Sequence, residues 1–226
     1  MIPWGLIDSA QVPGAGGELR LYRRGDEFSI RLERCELMNS RIHGSEDALA
    51  EIACARIADR PRPRILIGGL GMGYTLAAAL RRLGSGARVI VAELVPAVVE
   101  WNRGPIAHLA GHPLEDGRVT VCEVDVVRIL KDERQFYDAI LLDVDNGPEG
   151  LTRQGNDWLY TRAGLETAFS ALRPGGVLAV WSAGPNRAFT RRVRMAGFEV
   201  SEVQVHTRGP RGGGRHTIWI AGRGGL

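Results

Sequence analysis

The chain has 226 residues, 44% of them apolar and 24% charged, with a formal net charge of +3. These proportions describe a soluble globular protein with room for one large domain and a small appendage. No apolar run approaches bilayer-spanning length and Met1–Trp4 lacks the pattern of a signal peptide, so a cytoplasmic protein with no membrane partner is expected.

In chain order, ELRLYRRGDEFSIRLE alternates apolar and polar residues on both sides of Arg24-Gly25-Asp26 and reads as a β-hairpin. LIDSAQV before it and CELMNS after it extend this to a small antiparallel N-terminal sheet, giving an expected division into residues 1–44 and 45–226. Ser45 reads as a helix N-cap with Glu46 and Asp47 in the first turn, and the helix is expected to run to about Asp59, ahead of Pro61 and Pro63. From Arg64 the rhythm becomes strand–helix alternation. RILIGG, RVIVAEL, RVTVCEVD, YDAILLDVD and VLAVWSA read as buried strands, and the helix LETAFSALRPGG carries a glycine stop. Apolar strands separated by helices imply a parallel sheet covered on both faces. FEVSEVQVHT and RHTIWIAG are joined by a glycine-rich loop too short for a helix, so they are expected to pair as an antiparallel hairpin at the end of the sheet.

Ligands of open α/β sheets bind beyond the carboxyl ends of the strands, so the chemistry is sought there. The first of these strands ends in Gly68-Gly69-Leu70-Gly71-Met72-Gly73 and opens a helix, the context of a nucleotide-type site, although glycines also serve plain turns. Glu93 ends the second strand about twenty residues beyond the glycines, where a carboxylate accepts ribose hydroxyls; a salt bridge or a cap before Pro96 is the plainer alternative. Asp125 with Val126 ends the third strand and suits adenine, a role compatible with an N-cap. Asp143 ends the fourth, placed to hold an incoming amine or hydroxyl and assist loss of its proton. Asp145 reads as a turn residue and Asn146 as one that can return to the site. Trp158-Leu159-Tyr160 either walls a substrate pocket or packs at the start of a helix. His206 and His216 read as ordinary strand or loop residues. Cys35, Cys54 and Cys122 imply neither a disulfide framework nor a zinc site. Lys131 is the sole lysine among many arginines, which reads as composition rather than as a nucleic-acid-binding signal.

With these residues in place the chain resembles the spermidine synthase-like branch of the class I S-adenosylmethionine-dependent methyltransferase fold. The resemblance runs through ILIGGLGMG, VIVAEL, EVDV, YDAILLDVDNGP, LYT, LRPGGVLAV and RHTIWIA. It implies a small β-domain followed by a Rossmann-like seven-stranded sheet, and a cofactor that is S-adenosylmethionine or its decarboxylated form. It places Gly69, Gly71 and Gly73 along the cofactor, Glu93 on the ribose, Asp125 and Val126 on the adenine, and Asp143 where an acid deprotonates the attacking amine. It also points to a homodimer. Three departures stand out. Gly71 replaces the second acid of GGGDGG, Asn146 replaces the second acid of the loop after the fourth strand, and Leu49-Ala50-Glu51 aligns with a Tyr-(His/Gln)-Glu run, keeping only Glu51. At roughly 1.5–3 kcal/mol per charge-assisted hydrogen bond, these losses are expected to cripple putrescine recognition. Gly71 is expected to leave space for the carboxylate of ordinary S-adenosylmethionine. The expected reaction is therefore methyl transfer to a small-molecule nucleophile, with Asp143 as the catalytic acid–base group and Glu51, Asn146 and Tyr160 contacting the substrate. Aminopropyl transfer to a polyamine from the decarboxylated cofactor is the alternative, and a non-catalytic cofactor-fold protein is a third reading. Nucleic-acid methylation is disfavoured because no NPPF/DPPY-type motif follows the fourth strand. No metal is expected, because the acid–amide pair of metal-dependent O-methyltransferases is absent after the fifth.

Overall fold

The computed structural model describes residues 2–14, 17–144, 156–209 and 212–224. Four N-terminal strands, β1 (Gly5–Gln11), β2 (Glu18–Arg24), β3 (Glu27–Leu32) and β4 (Cys35–Asn39), form an antiparallel meander in sequence order. Arg24 pairs with Glu27 across Gly25-Asp26, and Gly25 takes φ +60°, which the tight two-residue turn requires. Alternation on β2 and β3 buries Leu19, Leu21, Phe28 and Ile30 on one face.

The second sheet has seven strands: β5 (Arg64–Gly68), β6 (Arg88–Ala92), β7 (Val119–Cys122), β8 (Tyr137–Leu142), β9 (Leu172–Ser182), β10 (Glu199–His206) and β11 (Arg215–Gly222). Their order is β10-β11-β9-β8-β5-β6-β7, parallel from β9 to β7 and antiparallel at β10 and β11. Strand pleating divides the core in two. Ile65, Ile67, Ala139 and Leu141 face the cluster that contains α1 (Gly44–Ala55), α2 (Tyr74–Arg82) and α3 (Pro96–Arg103). Leu66, Ile140 and Leu142 face the cluster of α4 (Val126–Asp132), α5 (Arg162–Ala171) and α6 (Arg187–Met195). Leu19, Leu21, Phe28 and Ile30 join the first cluster, so the small sheet packs on the same core as the large one.

Two local expectations need correction. Ser45 is not the N-cap of α1. His43 holds that position without a side-chain capping bond, and the helix ends at Ala55 rather than near Asp59. Gly44 lies against the turn after β10, donating its N–H to the Thr207 carbonyl at 2.9 Å, and this packing starts the helix two residues early, with Ser45 turned inward. The glycines of LRPGG do not stop α5 either. The helix ends at Ala171, and Leu172 already pairs with Tyr137 as the first residue of β9. Arg173 to Gly176 then bulge past Asp138, where a side chain on Gly176 would press on the Asp138 carbonyl at 3.1 Å.

Candidate active site

The sheet switches direction between β5 and β8. From β5 the chain proceeds outward to β6 and β7, and from β8 it proceeds the other way, which opens a crevice beyond the carboxyl ends of these two strands. The Asp143 N–H donates to the Gly68 carbonyl at 2.9 Å, holding the two strand ends side by side. They are so close that a Cβ on Gly69 (φ +90°) would lie 2.4 Å from the Asp143 carbonyl oxygen. Only glycine fits there. At Gly71 (φ +53°) a Cβ would meet the Met38 sulfur at 2.8 Å, because β4 of the small sheet folds over the glycine turn.

Beneath this roof lies a cleft of about 450 Å³, within the usual range of small-molecule sites. Gly69, Gly71, Glu93, Asp125, Val126 and Asp143 all line it. Glu93 accepts the Leu70 N–H and the Val95 N–H, both at 2.9 Å, and so ties the glycine turn to the end of β6. Burial raises its pKa, and the backbone donors around it oppose that shift. Glu93 still borders the cleft while it makes this structural tie. Asp125 caps α4 by accepting the Val127 N–H at 2.9 Å and still borders the cleft. Val126 packs against Gly68.

Asp143 accepts a 2.6 Å hydrogen bond from the Thr75 hydroxyl at the start of α2. Facing it is Glu46 of α1, which is buried and lines the same cleft. Burial raises the pKa of Glu46 to about 7, and the nearby Asp143 charge adds to the shift. Burial also raises Asp143, to about 6, against the opposing Thr75 bond. Two enclosed acids this close titrate as a pair and readily share one proton. Ser45 donates to Glu46 Oε2 at 2.6 Å, and its oxygen lies 2.9 Å from Nδ1 of His216 on β11. His216 borders the cleft with its ring edge-on to Trp181. The Trp181 indole N–H is buried without a hydrogen-bond partner among the described residues.

The remaining candidates lie elsewhere. Glu51 is on the outer side of α1, paired with Arg82 at 3.1 Å, and does not border the cleft. Gly73 is the left-handed N-cap of α2, away from the cleft wall. Tyr160 is buried beneath the end of β8, donating to the Val144 carbonyl at 3.1 Å; it supports the residue after Asp143 from behind. Asn146 and Asp145 lie outside the described residues. Glu46 and His216 are the residues that sequence reasoning missed. Helical spacing carried a signal for the first: Glu46 shares a face with Leu49, Ala50 and Ala53, all buried, whereas Glu51 is on the other side. For His216 the signal was topological. A strand antiparallel to β9 begins at the edge where the parallel strands end.

A family model described as the spermine/spermidine synthase domain matches residues 47–192. Polyamine aminopropyltransferase 2 of Pseudomonas aeruginosa is 34% identical over 126 residues, covering 54% of this chain and 34% of the relative. The polyamine aminopropyltransferase of Oceanobacillus iheyensis is 30% identical over 181 residues, 78% of this chain and 31% of the relative. The chain thus spans about a third of the length of the curated relatives it matches. The crystal structure of spermidine synthase from Thermotoga maritima shares the fold, with a TM-score of 0.76 at 18% identity over 97% of this chain and 73% of that one. A spermidine synthase in complex with the transition-state analogue AdoDATO superimposes equally well, covering 72% of that chain.

These relatives overturn the expectation of methyl transfer, and the geometry supplies the reason. The space beside Gly71 expected for a carboxylate is filled by the Met38 thioether. Acids are missing at the aligned positions, but Glu46 brings a carboxylate to Asp143 from another place on α1.

Proposed function

The chain belongs to the spermine/spermidine synthase family, and from that premise we propose that it transfers the aminopropyl group of decarboxylated S-adenosylmethionine to a polyamine-type amine. The observation that carries this reading is the charge of the cleft. Glu36, Glu46, Glu93, Asp125 and Asp143 line it, and no lysine or arginine does among the described residues. Low-dielectric walls concentrate the field of such a lining. A donor bearing a sulfonium and a primary ammonium complements it, as does a polycationic acceptor. The carboxylate of ordinary S-adenosylmethionine would instead add a further negative charge beside Glu46 and Asp143.

In this reading Glu93 accepts from the ribose hydroxyls, Asp125 accepts from the adenine amine, and Val126 packs under the ring. Gly69 and Gly71 let the backbone approach the donor. Glu46 and Asp143 hold the amine groups, with Asp143 orienting the acceptor nitrogen. The donor's sulfonium supplies an electrophilic methylene, so attack by a neutral amine forms the C–N bond, breaks the C–S bond and leaves methylthioadenosine. The residues therefore contribute mainly alignment, exclusion of water and management of one proton. A homodimer belongs to the same proposal. Leu6 and Ile7 are exposed on the edge strand β1, where a second copy would bury them, and light scattering on the full chain would count against this by finding a monomer.

The test is calorimetric titration with both forms of the donor, followed by turnover with a diamine. Tighter binding of the decarboxylated form and release of methylthioadenosine are expected. Tighter binding of S-adenosylmethionine, or a methylated product, would overturn the proposal.

A further inference from the structure

Glu46 of the acid pair heads a line of three polar side chains, and the other two, Ser45 and His216, take no part in holding the donor or the acceptor. Ser45 is fully buried, and its hydroxyl lies 2.6 Å from Glu46 Oε2 and 2.9 Å from His216 Nδ1. These partners come from opposite ends of the chain, 171 residues apart for Ser45 and His216. The fold fixes the approach. Gly44 is held by the Thr207 carbonyl, and a Cβ at Gly44 would fall 2.2 Å from the Gly209 nitrogen, so the start of α1 is pressed onto the β10–β11 turn. The edge of Trp181 fixes the imidazole plane, with ring centroids 4.6 Å apart.

One hydroxyl hydrogen between two acceptors allows only two arrangements. With Glu46 ionised, Ser45 donates to the carboxylate. The imidazole must then carry its hydrogen on Nδ1 and donate it to Ser45, leaving Nε2 with a lone pair. With Glu46 protonated, the acid donates to Ser45, Ser45 donates to Nδ1, and Nε2 carries the hydrogen. The second arrangement is reached from the first when one proton enters at Nε2 and each bond in the line passes one on.

We propose that His216, Ser45 and Glu46 form a proton relay that takes up the proton released by the attacking amine. The assignment rests on the aminopropyl-transfer reading for the origin of that proton. The amine N–H proton goes to His216 Nε2 while the nitrogen electron pair forms the C–N bond. The Nδ1 hydrogen passes to Ser45 Oγ, and the Ser45 hydrogen passes to Glu46 Oε2. The line ends with a neutral imidazole and a neutral carboxyl, and Glu46 returns the proton to water through the cleft it borders once product leaves. Glu46 suits this end because Asp143 faces it from β8, so gaining a proton relieves the repulsion of two carboxylates. On its own helix Glu46 also faces His43, which is paired with Asp47 at 2.8 Å. His216 faces Ser45 of α1 and Trp181 of β9, with Thr207 also bordering the cleft beyond β10.

The experiment is a ¹⁵N spectrum of histidine-labelled full-length protein across the titration of Glu46, alongside turnover. The wild type is expected to show His216 as the Nδ1–H tautomer at high pH, changing to Nε2–H as Glu46 gains its proton. Ser45→Thr should retain the change and Ser45→Ala should lose it. Ser45→Ala and His216→Phe, the latter keeping a ring on Trp181, should lower kcat by roughly 10²-fold, the lower end of proton-transfer contributions, with the KM of the donor unchanged. A single His216 tautomer throughout, or a Ser45→Ala protein that switches and turns over like wild type, would overturn the relay. A tautomer change in a protein that releases no methylthioadenosine would support the wiring while sinking the aminopropyl-transfer reading.

Discussion

Asp138 and Asp143 bracket the same apolar run on β8, and the protein treats them in opposite ways. Asp138, at the start of the strand and 1% exposed, receives Arg60, Arg173 at 3.0 Å and the Arg64 N–H at 2.7 Å. Asp143, at the other end, receives one hydroxyl and faces a second carboxylate. The contrast extends to whole surfaces. Near Asp138 an open groove is lined by Arg62, Arg64, Arg88, Arg118 and Arg173, whereas the cleft beside Asp143 has no basic lining except His216 among the described residues. A buried acid surrounded by donors is a structural fixture, and a buried acid left with another acid is poised to hold a cation or a proton.

The same conservative change at both ends should separate the two roles. Asp138→Asn leaves Arg60 and Arg173 facing an amide, and removing one partner of a buried ion pair costs ~3 kcal/mol or more. Both arginines are about one-third exposed, so the lower end of that range is expected. Asp143→Asn should cost little in urea unfolding, because it also removes a like-charge repulsion. It should nevertheless lower kcat by about 10²-fold, the cost of misplacing an acceptor that the carboxylate holds in line with the donor. Equal losses of stability at the two sites would erase the contrast.

The acid pair also sets a pH dependence. Glu46 and Asp143 have pKa values raised by folding, to about 7 and about 6. Between their unfolded values near 4 and these raised values the folded state binds more protons than the unfolded chain, so stability falls as pH rises through that window and levels off above about 7. Glu46→Gln should flatten the slope by on the order of 2 kcal/mol between roughly pH 4.5 and 7.5, read from urea midpoints. An unchanged slope would mean that the pair does not share its proton.

Much of this contrast was within reach of the sequence, and the part that was not has a physical cause. Periodicity exposed the strands, the glycine turn and the terminal hairpin, because burial on a sheet or helix leaves a mark every two or every three to four residues. Glu93, Asp125 and Asp143 were found because strand ends are local features. Ser45 reads as a cap because capping logic considers only the nearest backbone, while its hydroxyl is shared between Glu46 and His216 on the last strand. Gly71 reads as open space for a similar reason: the atom that fills it, the Met38 sulfur, belongs to a different sheet. Arg173 to Gly176 resembled a helix stop because a glycine pair serves a bulge equally well.

The smallest expected effect concerns how the mouth of β8 is held. Asp143 is fixed in front by Thr75 and through its own N–H by Gly68, while Tyr160 reaches Val144 from the opposite core. Tyr160→Phe keeps the ring on Phe189, with centroids 5.7 Å apart, and deletes only the hydroxyl. Losing one neutral hydrogen bond to a carbonyl costs about 1 kcal/mol. If Tyr160 acts only by supporting Val144, the variant should lose that stability and a few-fold in kcat with acceptor KM unchanged, since the side chain does not border the cleft. A rise in acceptor KM with kcat preserved would instead mean that Tyr160 touches the substrate, and the boundary between the cleft and its supporting core would have to be redrawn on that side of β8.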